Sequence, residues 1–369
     1  MNKLKEARDE IERIDKEISS LFCERMAAVK NVALYKKEHG LPIFDAQREA
    51  DLIEKNASYV NDPELRSFYI NFLKAQIEIS KNYQHKLLDG IRVAYSGVEG
   101  AFAHIASKRI FPDGNMLSHN DFLNAYKAVE NGDCDCCVLP VENSYAGEVG
   151  QVTDLMFEGS LHLNGFYDLK IVHNLLALPG AKKDDIKTVI SHPQALSQCD
   201  SYIRKMGFEQ NKAKNTAVAA QLVSEGNDKS IAAIASVETA SLYGLSVLDH
   251  DINESGDNTT RFAVFSRVEN RIENPEQAKF VMIFTVRNIA GALAKTVNVI
   301  AKYGFNMRVL RSRPVKNQSW HYYFYVEAEG DPYSEKGKQM MQELNDHCHT
   351  VKIVGSYDRQ ISLDSKEIL

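Results

Sequence analysis

Leu4, Ala7, Ile11, Ile14, Ile18 and Leu21 recur at alternating three- and four-residue steps, with no glycine or proline between them. In an α-helix that spacing lines one face, so the chain opens with a long helix whose apolar stripe demands a partner. The next step of the count falls on Arg25, a charge where the pattern asks for leucine. Helical periodicity continues to about residue 88, broken at "HGLPIFD" and restarted after Pro63. On that later helix Ile70, Leu73, Ile77, Ser80, Gln84 and Leu87 fall on one line, which turns Ser80 and Gln84 inward among apolar neighbours. Buried polar groups need partners. Either Arg25 pairs with a nearby glutamate while Gln84 caps a core hydrogen-bond network, or these residues line a polar pocket suited to a small dianion.

A chain of 369 residues is too long for one core, and its texture changes twice. From "IRVAYSG" to about residue 267, short apolar strands alternate with helices and glycine turns, the mark of an α/β domain. After the polar linker "ENRIENPEQ", the segment 278–356 reads strand, helix, strand, strand, helix, strand, a ferredoxin-like α+β order. The expected domains are therefore 1–88, 91–267 and 278–356. A net charge of -6 argues against a nucleic-acid surface, and no apolar run approaches membrane-spanning length. With no leader resembling a signal peptide, the six cysteines read as reduced and the location as cytoplasmic. "CDCC" leads into an apolar strand, and "HCH" at 347–349 lacks a second ligand pair, so neither reads as a metal site.

Within the α/β segment, "GVEGAF" sets a glycine turn at a helix start, where backbone N–H groups meet carboxylates. "VENS" and "SHPQ" end strands in polar loops, and "SGDNTTRF" leads into another strand. Polar residues at strand ends gather at the crevice of an open sheet, so two lobes around a cleft are expected. Thr259 and Thr260 should point to opposite sides once the strand has begun.

The stretch "ARDEIERIDKEISSLFCERMAAVKNVALYKK" followed by "FDAQREADLIE" resembles the all-helical class of chorismate mutase over nearly the whole first module. The resemblance carries over to Arg8, Arg25, Lys36, Asp45, Arg48, Glu49, Ser80 and Gln84, each of the matching residue type. It implies that Arg8 and Arg25 bind the two substrate carboxylates, supported by Arg48 and Ser80. Lys36 and Gln84 then donate to the ether oxygen, and Glu49 with Asp45 hold the ring hydroxyl. It also implies an intertwined homodimer or larger homo-oligomer in which Arg8 comes from the partner's first helix.

"GVEGAF", "VLPVENS", "SHPQALSQC" and "NTTRF" resemble, in order, prephenate dehydratase, which implies a two-lobed fold like that of periplasmic binding proteins. Thr260 takes the critical place, and Glu142, Asn143, Ser144, Ser191, Gln198, Arg261 and Phe262 are implied around prephenate. Glu142 would relay a proton, and Arg261 would bind a carboxylate or serve as a strut. The family's hydroxyl residue in the first turn is absent, since Ala101 and Ala103 stand there. "GALAKTVNVI" and "RSRP" resemble the two ACT-domain motifs, implying L-phenylalanine as effector near Gly291, Ala292, Leu293, Arg311, Ser312, Arg313 and Pro314. Arg311 stands where that family has glutamate. Together these imply a fused enzyme that takes chorismate through prephenate to phenylpyruvate without cofactor or metal. The alternatives are a non-catalytic small-molecule sensor or a dehydratase with a vestigial helical module.

Overall fold

The computed structural model describes residues 3–270, 272–316, 321–358 and 360–364. Residues 1–92 and 93–369 form two compact units. The first is all helical: α1 (Lys3–Glu38), α2 (Ala46–Ala57) and α3 (Pro63–Asp89). Asp45 caps α2 by accepting from the Arg48 N–H at 3.0 Å, and Asp62 caps α3 ahead of Pro63, whose missing N–H costs nothing there. At 1.5 Å per residue α1 is about 54 Å long, and within one chain only Ala33 on it is fully buried. Its seam residues Leu4, Ile11, Ile14, Ile18 and Leu21 are 41 to 63% exposed.

The second unit begins with β1 (Arg92–Ser96), α4 (Phe102–Ile110), β2 (Asn115–His119), α5 (Phe122–Glu130), β3 (Cys136–Asn143), β4 (Gly147–Glu148), α6 (Gly150–Glu158) and β5 (His162–Lys170). The chain then crosses into a second lobe of β6 (Asn174–Ala177), β7 (Thr188–Ser191), α7 (Pro193–Gln198), α8 (Asp200–Met206), β8 (Glu209–Lys212), α9 (Thr216–Gly226), β9 (Ile231–Ala235), α10 (Val237–Tyr243) and β10 (Ser246–Asp249). It returns as β11 (Thr259–Ser266). The first-lobe sheet runs β5-β11-β3-β1-β2 and the second β10-β6-β9-β7-β8, so the lobes are joined by two crossings.

The remaining segment is β12 (Lys279–Val286), α11 (Ala292–Lys302), β13 (Met307–Pro314), β14 (Tyr322–Glu329), α12 (Glu335–His347) and β15 (Cys348–Tyr357), in an antiparallel sheet ordered β15-β12-β14-β13. This is the expected ferredoxin-like order, although Trp320, the expected start of β14, lies outside the described residues. A short β16 (Gln360–Ser362) then pairs with β5 in parallel. On β12, Phe280, Met282 and Phe284 pack under the two helices, while Val281 and Ile283 share a core with Phe166, Ala263 and Phe265 of the first lobe. Period-two alternation thus buries both faces of this sheet. The two sheets stack so closely that a Cβ on Gly355 would lie 2.0 Å from the Leu163 carbonyl oxygen. The thiols of Cys134, Cys136 and Cys137 are buried, and burial pushes Cys136 up to about 12.

Candidate active sites

A cavity of about 250 Å³ opens among the three helices, and Arg25, Lys36, Asp45, Arg48, Glu49, Ser80 and Gln84 all line it. Helical spacing explains the grouping: Arg25, Val29, Val32 and Lys36 follow one stripe of α1, and Ile77, Ser80, Lys81 and Gln84 one stripe of α3. Arg25 donates to Ser80 Oγ, and Ser80 donates to the Gln76 carbonyl at 2.7 Å. Burial lowers the Arg25 guanidinium from its ordinary value, but it stays charged. Its partner is this hydroxyl and not the glutamate that one sequence reading allowed. Lys36 Nζ donates to the Ile43 carbonyl at 2.6 Å. Gln84 Nε2 lies 3.3 Å from the Ser80 carbonyl, and its buried Oε1 has no partner among the described residues. Lys81, which the sequence pattern did not single out, also lines the cavity and pairs with Glu49 at 3.3 Å and Glu78 at 2.9 Å. Arg8 sits on the exposed N-terminal part of α1, away from this cavity.

A second cavity, about 370 Å³, fills the cleft between the lobes of the α/β unit. Asn143, Gln198, Thr260 and Phe262 line it, as do Ala101 and Ala103 at the start of α4. Asn143 Nδ2 donates to Thr260 Oγ1 at 2.9 Å and to Asn258 Oδ1 at 2.8 Å. Asn258 Nδ2 donates to Gln198 Oε1 at 3.0 Å, and His173 Nε2 reaches the same oxygen at 2.8 Å. His173 Nδ1 and Gln198 Nε2, both buried, have no partner among the described residues. Burial lowers His173 below the ordinary imidazole value, more than the Gln198 bond restores, so the ring is neutral near pH 7. Sequence reading missed His173, Lys214 and Thr216. The lone histidine in "KIVHNLLAL" carries no motif, and only folding brings Gln198 to it.

Four residues expected around the substrate lie elsewhere. Ser191 is buried and donates to the Ile234 carbonyl, and Ser144 clamps the loop by donating to the Asp257 carbonyl and accepting from the Thr259 N–H. Arg261 and Glu142 do not line the cleft. Alternation along β11 sends Thr260 and Phe262 to the cavity and Arg261 to the opposite face, where it meets Glu142, Asp168 and Glu327 at 3.8, 3.5 and 3.6 Å. From the effector motif, Arg311 and Arg313 face the first lobe: Arg311 bonds Glu142, and Arg313 bonds Asp154 and the Tyr323 hydroxyl. Ser312 and Pro314 are exposed. Gly291, with φ 82°, precedes α11, and Leu293 packs against the core under that helix.

The chain matches the type II chorismate mutase family over residues 7–85 and the prephenate dehydratase family over residues 93–270. The bifunctional chorismate mutase/prephenate dehydratase of Enterobacter agglomerans is 30% identical over 371 residues, covering 96% of each chain. Among solved structures, prephenate dehydratase from Arthrobacter aurescens in complex with L-Phe superposes with a TM-score of 0.67 at 26% identity, covering 73% of this chain and 90% of that one. A protein described as a novel type of quorum quenching acylase also superposes with a TM-score of 0.67, at 30% identity, over 72% of this chain and 97% of its own.

Proposed function

The chain belongs to the family of bifunctional chorismate mutase/prephenate dehydratases, and from that premise we propose how its two cavities divide the chemistry. The helical cavity rearranges chorismate to prephenate. This step is pericyclic, so the protein need only hold the compact conformer and stabilise charge developing on the ether oxygen. Arg25 with Ser80 and Arg48 takes carboxylate, Lys36 and Gln84 face the ether oxygen, and Glu49 with Asp45 takes the ring hydroxyl. Four lining cations, Arg25, Lys36, Arg48 and Lys81, against two carboxylates leave two positive charges for a dianion. The remaining arginine, Arg8, is supplied by the partner in a homodimer built on the uncovered α1 seam.

The cleft dehydrates prephenate. The carboxylate on the ring leaves as carbon dioxide, its bonding electron pair flows into the ring, and the C4 hydroxyl takes one proton and leaves as water. The dianion plus one proton thus becomes phenylpyruvate monoanion. The observation that carries the assignment is that Asn143 donates to Thr260 Oγ1, so the threonine hydrogen is free to point at the leaving hydroxyl. Among the described residues Lys214 is the lysine or arginine that lines the cleft, and it replaces Arg261 as the partner of the pyruvyl carboxylate. Phe102, Phe122, Ile171 and Phe262 keep the rest apolar, so the departing carboxylate is not over-stabilised. The third sheet is an ACT domain that binds L-phenylalanine near Gly291 and Leu293, in a cytoplasmic enzyme.

Chorismate supplied to purified protein should yield prephenate and then phenylpyruvate. Arg25→Ala should abolish the first step and spare dehydration of added prephenate. Thr260→Val should lower dehydration by about 100-fold, within the range of lost general-acid assistance, and spare the mutase, whereas Thr259→Val is mild. Normal mutase activity in Arg25→Ala, or a damaging Thr259 change beside a harmless Thr260 one, would sink the assignment.

A further inference from the structure

The acid that the second effector motif carries at position 311 is an arginine here, and its partner is outside the effector segment. Arg311 of β13 bonds Glu142 at the end of β3. Glu142 immediately precedes Asn143, and in the ladder with β11 Glu142 faces Arg261 while Asn143 faces Thr260. The ladder then slips by one residue, pairing Phe262 with Pro140, so Val141 is the extra residue of a bulge. Bulges re-aim side chains, and this one sits where Pro140, Asn143, Thr260 and Phe262 enter the cleft lining. On the far face, Arg261 is set among Glu142, Asp168 and Glu327, Arg311 meets it at Glu142, and Glu327, only 7% exposed, also accepts from the Tyr325 hydroxyl at 2.7 Å. Two guanidinium groups among three carboxylates leave little to spare. An acid at 311 would face Glu142 as a like charge, and a neutral residue would leave Arg261 alone among the three.

We propose that Arg311 is a positioning residue for dehydration: by clamping Glu142 to the third sheet it fixes the bulged end of β3 and so holds Asn143 against Thr260. This rests on Asn143 and Thr260 as the donor pair. In full-length protein without effector, Arg311→Met should lower dehydratase kcat by about tenfold, the scale of a small misplacement at a reacting centre, with KM within about twofold and mutase activity unchanged. Arg311→Lys should recover most of the loss, and Arg311→Glu should lose more than Arg311→Met. Melting curves and near-ultraviolet circular dichroism at the assay temperature report the folded fraction. A kcat per folded molecule equal to the unaltered protein's, a rise in KM alone, or no recovery in Arg311→Lys would overturn the clamp. Thr260→Val, assayed in parallel, separates the two readings: normal dehydration there overturns the donor pair and the clamp with it. A crippled Thr260→Val beside a normal Arg311→Met overturns the clamp alone.

Discussion

Lys214 shows what one side chain must do once another is turned away. Prephenate carries two carboxylates, yet the sheet arginine beside Thr260 points to the opposite face and spends its charge on Glu142, Asp168 and Glu327. Lys214 lines the cleft just ahead of Asn215, which caps α9 through the Val218 N–H at 2.7 Å. The expected outcome of Lys214→Met is a KM for prephenate raised about tenfold, the loss of roughly 1.4 kcal/mol of uniform binding, with kcat nearly intact. A fall in kcat at constant KM would instead place Lys214 on the reacting centre. Part of this was legible beforehand. The period of two that separates Thr259 from Thr260 also separates Thr260 from Arg261, but a three-residue motif taken as a block hides that alternation.

Among elements, α1 is largely exposed and the most readable. Its seam obeys a strict three-four period, and the same count that leaves Leu4, Ile11, Ile14, Ile18 and Leu21 uncovered carries Arg25 into the cavity, with Lys36 about three turns further along the same side of the helix. A stripe of this length left in water is an association surface, and pairing two such helices is the economical way to cover it. Ile11→Lys combined with Ile18→Lys should therefore convert a dimer to monomer in sedimentation and abolish mutase activity, because Arg8 no longer reaches the other chain's cavity. Dehydration should persist, and an unchanged sedimentation coefficient would count against the paired helix. Other elements were less legible for a physical reason. β13 runs through "RSRP" to Pro314, because its inward residues Arg311 and Arg313 find carboxylates on β3 and α6 of the first lobe. In sequence, inward arginines look like a loop. Three-residue β16 is too short for any period to announce it.

At the scale of the molecule, the proposed control of dehydration rests on how the third sheet is built in. Val281, Ile283, Tyr323 and Tyr325 belong to the same core as Phe166, Ala263 and Phe265, so the sheet that carries β13 cannot shift without moving the back of the strand that carries Thr260. A ligand at the start of α11 can act on the cleft only through a difference in its affinity for two arrangements of these stacked sheets. Gly291 has the left-handed conformation that suits a close backbone approach, with open space where a side chain would be. Leu293 offers apolar contact beside it, matching an amino acid with an aromatic side chain. L-phenylalanine should therefore inhibit dehydration, leave the mutase far less affected, and raise the melting temperature. At a concentration 100 times its dissociation constant the stabilisation would be about 2.7 kcal/mol, enough for a shift of several degrees. Because Arg311 is committed to Glu142 and no acid stands there to meet an ammonium group, Arg311→Met should alter the half-inhibitory concentration as well as kcat. L-tyrosine, with a hydroxyl to bury, should act more weakly. If millimolar L-phenylalanine changes neither dehydration nor melting, the third sheet serves assembly and strand positioning, and regulation lies outside it.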